Sequence, residues 1–280
     1  MITMAKTYHV AAKGIRMITK AINWIKENTV KDAGIILHSR NRTCYPAVSG
    51  YLIPTLLEVG ELELARQYAR WLTTVQNPDG SFSPPESSIS FSFDTGQVVR
   101  GWSSILPQMP ELEHPLRRAC EWLISKADPS TGRLMVPQPG TLWNLGARGE
   151  VNEAIHLYCL YPLQRAADLL NEPRYSAFVS LSRNYYLGQS TFSDFGQPNA
   201  LTHFFAYIQE ALTELGCEDE ARKGMASVSR YQQNNGAVPA YADVRWVCSA
   251  GLAQLAAVWF RLGERAHAEQ PLDFLRQNHN

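Results

Sequence analysis

In the segment ELARQYARWLTTV the apolar residues Leu64, Tyr68, Trp71, Leu72 and Val75 recur at the spacing of one helical face, with polar residues between them. The segment LAQLAAVWFRL near the C-terminus has a different pattern. Apolar residues surround it almost completely, which predicts a helix buried on all sides. Between these two extremes the chain alternates: a more apolar helix is followed by a more amphipathic one, in five successive units. The units start near Tyr45, Asp94, Asn152, Leu201 and Arg245. One further helix, VAAKGIRMITKAINWIKEN, precedes them and reads as the outer partner of an incomplete first unit. Tidy strand-like alternation is confined to SISFSF.

A period of about 45 to 60 residues signals a repeat architecture. Apolar helices inside and amphipathic helices outside predict an all-α fold, an α/α toroid of about six helical hairpins spanning 1–280 as a single domain. An open solenoid is the competing layout. The connections also sort into two kinds. Within a unit they are tight: EVGELE, ELGCEDE, RLGERA. Between units they are long: QNPDGSFSPPESSISFSFD, ADPSTGRLMVPQPGTLWNLGARGEVN, GQSTFSDFGQPN, QQNNGAVPAYADV. Helix–helix connections usually run about 2 to 8 residues. Because consecutive helices alternate in direction, all long loops fall on the rim where the inner helices begin. Long loops on a rigid scaffold collect binding residues, and helix N-termini present free N–H groups.

Composition narrows the functional classes. Charged residues are 19% and the formal net charge is zero, so nothing predicts capture of nucleic acid or an anionic surface. No apolar run reaches the length of a membrane span, and the N-terminus does not read as a secretory signal, so a cytoplasmic location is the default expectation. Five scattered cysteines without a CxxC pair predict reduced thiols.

Candidate chemistry clusters at the expected starts of the inner helices. The first group is Arg40, Arg42 and Tyr45, with His38 and Cys44 beside them; the second is Asp94, Gln97 and Arg100. The third is Trp143, Asn152, Glu153 and His156, with Glu150 close by. The fourth is His203 with Asn199 and Thr202, and the fifth is Asp243, Arg245 and Trp246 with Tyr241. Asp94 reads equally as the N-cap of its helix. An arginine one and a half turns into an apolar helix must be paired or must line a polar cavity. Glu153 and His156 share a helical face at i, i+3, which suits acid–base work. A di-metal site would need a second such pair on a facing helix, and the other match, Glu111 and His114, sits in a tight break before Pro115. No metal and no cofactor are therefore assigned.

The loop QNPDGSF resembles turns of the terpene cyclases, and the whole pattern resembles the α/α-toroid superfamily. That group includes the six-hairpin sugar-processing enzymes and the terpenoid cyclase and prenyltransferase toroids. The resemblance implies a carbohydrate-active enzyme (hydrolase, lyase or epimerase) whose cavity lies at the N-terminal ends of the inner helices. Asp94, Glu153 and His156 are then the catalytic candidates. Arg40, Arg42, Tyr45, Gln97, Arg100, Trp143, Asn152, His203, Asp243, Arg245 and Trp246 are the substrate-binding candidates, for a saccharide that the arginines allow to be acidic. A terpenoid, prenyl-transfer or lanthionine-cyclase-like toroid is the alternative. It lacks the DxDD, DDxxD and Cys-His-Gly elements it would need. A non-catalytic binding module in polysaccharide biosynthesis is a third reading.

Overall fold

The computed structural model describes residues 17–85, 87–135 and 151–278. A helical segment, α1 (17–27), leads into a short antiparallel hairpin, β1 (Ile36–His38) and β2 (Asn41–Cys44). Five helical hairpins follow. The inner helices are α2 (Pro46–Glu58), α4 (Ser92–Ile105), α6 (Leu160–Leu170), α8 (Thr202–Glu214) and α10 (Ser249–Arg261). A 3-10 segment, Glu153–Cys159, leads into α6 and extends that inner element. The outer helices are α3 (Leu62–Val75), α5 (Glu113–Ser125), α7 (Pro173–Leu187), α9 (Glu218–Ser229) and α11 (Arg265–Gln277). The inner helices pack in the order α2, α4, α6, α8, α10 around one axis, each against its own outer helix. The fold is an all-α toroid. With the 3-10 segment from Glu153 counted as the start of the third inner element, the inner elements begin within a few residues of the expected unit starts, the largest offset being Arg245 against Ser249.

The alternation of helix character has a direct packing cause. Of the fourteen residues of α4, twelve are buried, whereas in α3 burial is confined to Ala65, Tyr68, Ala69 and Leu72. An outer helix needs one apolar stripe; an inner helix meets neighbours on both flanks as well as its outer partner. Close inner-helix approach rests on glycine. A Cβ at Gly101 would lie 2.4 Å from the Gly50 carbonyl oxygen on α2.

α10 departs from the expectation of burial on all sides: Ala253, Ala257 and Phe260 are exposed. The reason is its place in the ring. α2 and α10 are the first and last inner helices and form no packed seam with each other. Both border a cavity instead, so among the described residues one flank of each lacks a helical neighbour.

The two kinds of connection have two repeating geometries. In four tight turns the backbone N–H of Glu61, Glu172, Cys217 and Glu264 reaches back to the carbonyl of Leu56, Ala167, Leu212 and Trp259. This six-to-one bond closes the helix end and requires a left-handed residue, supplied by Gly60, Asn171, Gly216 and Gly263. Three of the four long loops open with a turn of their own, in which Asn77, Asp128 and Gln233 N–H bond to the carbonyls of Ser81, Arg133 and Ala237. The QQNNGAV loop thus repeats QNPDGSF in structure although it lacks the aromatic residue. In both, the leading glutamine amide bonds a backbone carbonyl of the adjacent outer helix, Gln76 to Pro115 and Gln232 to His267.

These turns make a stability prediction. Gly236 has φ +86° and its missing Cβ would lie 2.2 Å from the Gln270 carbonyl oxygen, whereas Gly216 has φ +71° and open space around it. Gly216→Ala therefore costs only the left-handed penalty, about 1 kcal/mol. Gly236→Ala must also displace α11 and costs more than about 2 kcal/mol. Urea unfolding of the two variants measures the difference; equal losses would show that α11 yields freely.

Candidate active site

The start of α4 sets the site. The helix begins at Ser92, with Phe91 as its N-cap residue and no side-chain cap, so Asp94 lies within the first turn and is not the N-cap. Its carboxylate is released from capping and turns toward the axis, where the Tyr45 hydroxyl donates to Oδ2 at 3.1 Å. Asp94 is 7% exposed. Burial pushes its pKa up to about 7, and the Tyr45 hydrogen bond opposes that rise only in part. Tyr45 shifts upward as well, through its own burial and the neighbouring Asp94 carboxylate.

Asp94 and Tyr45 belong to a cavity of about 220 Å³ at the long-loop rim. Tyr51 and Val48 of α2, Phe93 and Gln97 of α4, and His203, Phe204 and Tyr207 of α8 complete most of its wall. Gln97 donates to the Phe93 carbonyl at 3.3 Å, while its own Oε1 is buried with no hydrogen-bond partner. The His203 ring lies 4.6 Å from that of Tyr207, and its buried Nδ1 also lacks a partner. Burial lowers the His203 pKa, which favours the neutral imidazole, and the nearby Gln254 amide opposes that shift. Two unsatisfied buried polar atoms facing one aromatic cavity are groups that a hydroxylated ligand would satisfy.

A second cavity of about 480 Å³ extends along the axis toward the tight-turn rim. It shares Tyr51, His203 and Tyr207 with the first. The rings of Phe93, Tyr158 and Tyr207, 4.7 to 6.2 Å apart, form much of the partition between the two. Arg100 lies on this second side. Its guanidinium makes two 2.8 Å bonds to Glu214, one 3.1 Å bond to the Tyr158 carbonyl, and stacks 3.9 Å from the Tyr158 ring centroid. Burial alone would lower its pKa, but the Glu214 hydrogen bonds and surrounding negative charge raise it. Both options for a charge inside an apolar helix are realised: Arg100 is paired, and it lines a polar cavity.

The remaining candidates separate. Glu153 is bound by Arg133 through two bonds of 2.6 and 2.9 Å and does not line either cavity. His156 is buried near the Tyr186 ring, its pKa lowered by burial to about 4, and lies outside both linings. Glu153 and His156 stay neighbours, as i, i+3 residues of a 3-10 segment do, and Glu153 acts on His156 against the effect of burial. But Arg133 holds the Glu153 carboxylate while His156 is buried in the core, so neither reaches a cavity. Asn152 caps that segment, accepting from the Ala154 N–H. Arg40 and Arg42 are exposed on the β1–β2 hairpin, and Asp243 and Arg245 are exposed in the loop before α10. Trp246 is 55% exposed, 6.1 Å from the Tyr241 ring. Trp143 lies outside the described residues. Among the described candidates, Tyr45, Asp94, Gln97 and His203 converge on one cavity.

Sequence reading missed Tyr51, Phe93, Phe204 and Tyr207. Helical spacing carried the signal for Tyr207, which follows His203 by four residues; nothing comparable marks Tyr51, six residues after the N-cap residue Tyr45. Glu210, Glu214 and Arg261 were missed because they sit at the opposite helix ends.

The five cysteines are free thiols, and no helix among the described residues is long and apolar enough to cross a membrane. No protein-family model matches the chain, and no curated protein gives a significant match. Solved structures do. An α-amylase from Clostridium perfringens superposes with a TM-score of 0.68 at 10% identity, over 92% of this chain and 86% of that one. A polysaccharide lyase gives 0.60 at 11% identity, over 82% and 76%. The unsaturated glucuronyl hydrolase of Bacillus sp. GL1, responsible for the degradation of glycosaminoglycan, gives 0.58 at 13%, over 83% and 74%. These are six-hairpin glycosidase-like toroids. At such identities the likeness concerns architecture, and the chain has the α/α-toroid fold that they share.

Proposed function

We propose that the protein is a carbohydrate-active enzyme and that the Asp94 cavity holds one sugar ring. The observation that carries this reading is Asp94 itself, a buried carboxyl bonded by Tyr45, with no lysine or arginine among the described residues lining its cavity. A carboxyl with a pKa near 7 keeps its proton in about half of the molecules at neutral pH and can donate it where a leaving oxygen develops charge. The surrounding rings of Phe93, Phe204 and Tyr207 suit the apolar face of a pyranose, and Gln97 Oε1 and His203 Nδ1 suit its hydroxyls. The similar structures being sugar-processing enzymes supports the same reading.

The lining favours a neutral ring. A carboxylated sugar buried here would find no cation among the described groups, and an unpaired buried charge is costly. Asp94 serves as proton donor and the neutral His203 imidazole as the complementary acceptor. The test is a panel of neutral and uronic-acid glycosides, followed by reducing-end release and by the absorbance of unsaturated products. Turnover of a neutral glycoside is expected. Saccharide binding without any turnover would instead mark a binding module. The Glu153→Gln variant is expected to keep turnover within about threefold, because an exposed ion pair contributes little. A hundredfold loss there would move the chemistry to the third inner element.

A further inference from the structure

We propose that the larger cavity on the tight-turn side is a second binding site, and that it takes a small hydroxylated carboxylate such as a uronic acid. It adjoins the Asp94 cavity, with which it shares Tyr51, His203 and Tyr207, but it does not contain Asp94 and does not depend on the catalytic assignment above. At about 480 Å³ it falls within the size range of small-molecule sites, roughly 300 to 1,000 Å³.

The charges around it are unequally satisfied. Arg100 and Arg261 are committed: Glu214 binds both, and Glu210 pairs with Arg261 at 3.1 Å. Arg165, half-buried on α6, also lines the cavity, yet it has no ion pair and no hydrogen bond among the described residues. A guanidinium left free in a walled cavity is a ready receptor for a carboxylate, which it can grip through two parallel N–H bonds. Glu58, exposed at the cavity edge, likewise has no partner among the described residues, and Gln254 Oε1 is buried and unbonded while its amide nitrogen donates to Glu210 at 2.7 Å. Arg100, only 9% exposed, keeps a buried Nε–H unbonded on the same side. One cation and several acceptors match a molecule with one carboxylate and several hydroxyls. A simple anion would leave the acceptors unmet, and a neutral sugar would leave Arg165 unmet. Tyr161 and Tyr207 supply ring faces for the carbon skeleton.

Isothermal titration with sodium glucuronate, glucose and sodium acetate tests this on the full chain. Glucuronate is expected to bind the wild type and Asp94→Asn alike. Arg165→Gln is expected to weaken it at least about tenfold, since a charge-assisted bidentate pair is replaced. Glucose and acetate are each expected to bind at least about tenfold more weakly than glucuronate. The proposal is overturned by the absence of glucuronate binding, by equal affinity in Arg165→Gln, or by glucose or acetate matching glucuronate. Binding lost in Asp94→Asn but retained in Arg165→Gln would place the acid in the first cavity and overturn it as well. Because Arg165 is half-buried and unpaired, its replacement removes no folding contact of the guanidinium; an unchanged melting temperature verifies that point.

Discussion

Replacing Asp94 by asparagine lowers turnover by about 10² to 10⁴-fold, the usual contribution of a positioned proton donor. The asparagine occupies the same volume and still accepts the Tyr45 hydroxyl, so substrate affinity is largely kept and the loss falls on kcat. The pH profile of the wild type supplies an independent readout. The acid must be protonated to act, so activity falls as pH rises through the Asp94 value of about 7. Tyr45→Phe removes the hydrogen bond that favours the ionised form and moves this limb to higher pH. A profile flat from pH 5 to 9 in the wild type, or an active Asp94→Asn variant, would remove Asp94 from the chemistry.

The same shift makes a statement about stability. The folded-state value lies above the 3.8 of an unperturbed Asp, so the native state binds this proton more tightly than the unfolded chain does. The contribution is fully present below about pH 4 and is lost as pH rises through 7. At alkaline pH the buried charge costs up to about 4 kcal/mol, from roughly three pKa units at 1.36 kcal/mol each. Asp94→Asn is therefore more heat-stable than the wild type at pH 8, with the difference closing by pH 4. Function is held here at the expense of the fold, as expected of an acid placed in an apolar site.

Glu214→Ala is expected to destabilise the protein by about 3 to 5 kcal/mol. Without Glu214, Arg100 remains buried with one carbonyl bond and the Tyr158 ring, and Arg261 loses one of its partners. The penalty belongs to the stranded guanidinium more than to the lost pair. A double replacement, Arg100→Met with Glu214→Leu, therefore recovers most of the stability. Urea unfolding checks both. A single-variant loss under about 1 kcal/mol, or a double variant as unstable as the single, would mean that water reaches the pair and screens it.

How much of this was legible beforehand differs by level. The helical hairpins follow from local periodicity, and the unequal lengths of the loops assign them to opposite rims without any coordinates. The mouth cavity was half legible: Tyr45, Asp94, Gln97 and His203 stand at inner-helix starts, and Tyr207 follows His203 at a turn spacing, whereas Tyr51 carries no such mark. The spacing of Glu153 and His156 does make them neighbours, but it could not show that Arg133 takes the Glu153 carboxylate and that His156 is buried away from both cavities. α10 reads as buried all round, yet a fully apolar stretch looks the same whether a neighbour covers every face or one flank borders a gap.

Chain order alone determined an all-α toroid and the rim where binding residues gather, because helix period and alternating direction are local properties that survive in one dimension. Only the packed structure decided where each charge points. Asp94 and Arg100 are six residues apart on one helix, which separates them by about 9 Å along the axis and a third of a turn around it. That displacement sends one to the mouth and the other to the far cavity, where its partner Glu214 lies 114 positions away in sequence. Pairing over such a distance leaves no periodic trace, so it is settled by how the inner helices pack and not by any motif.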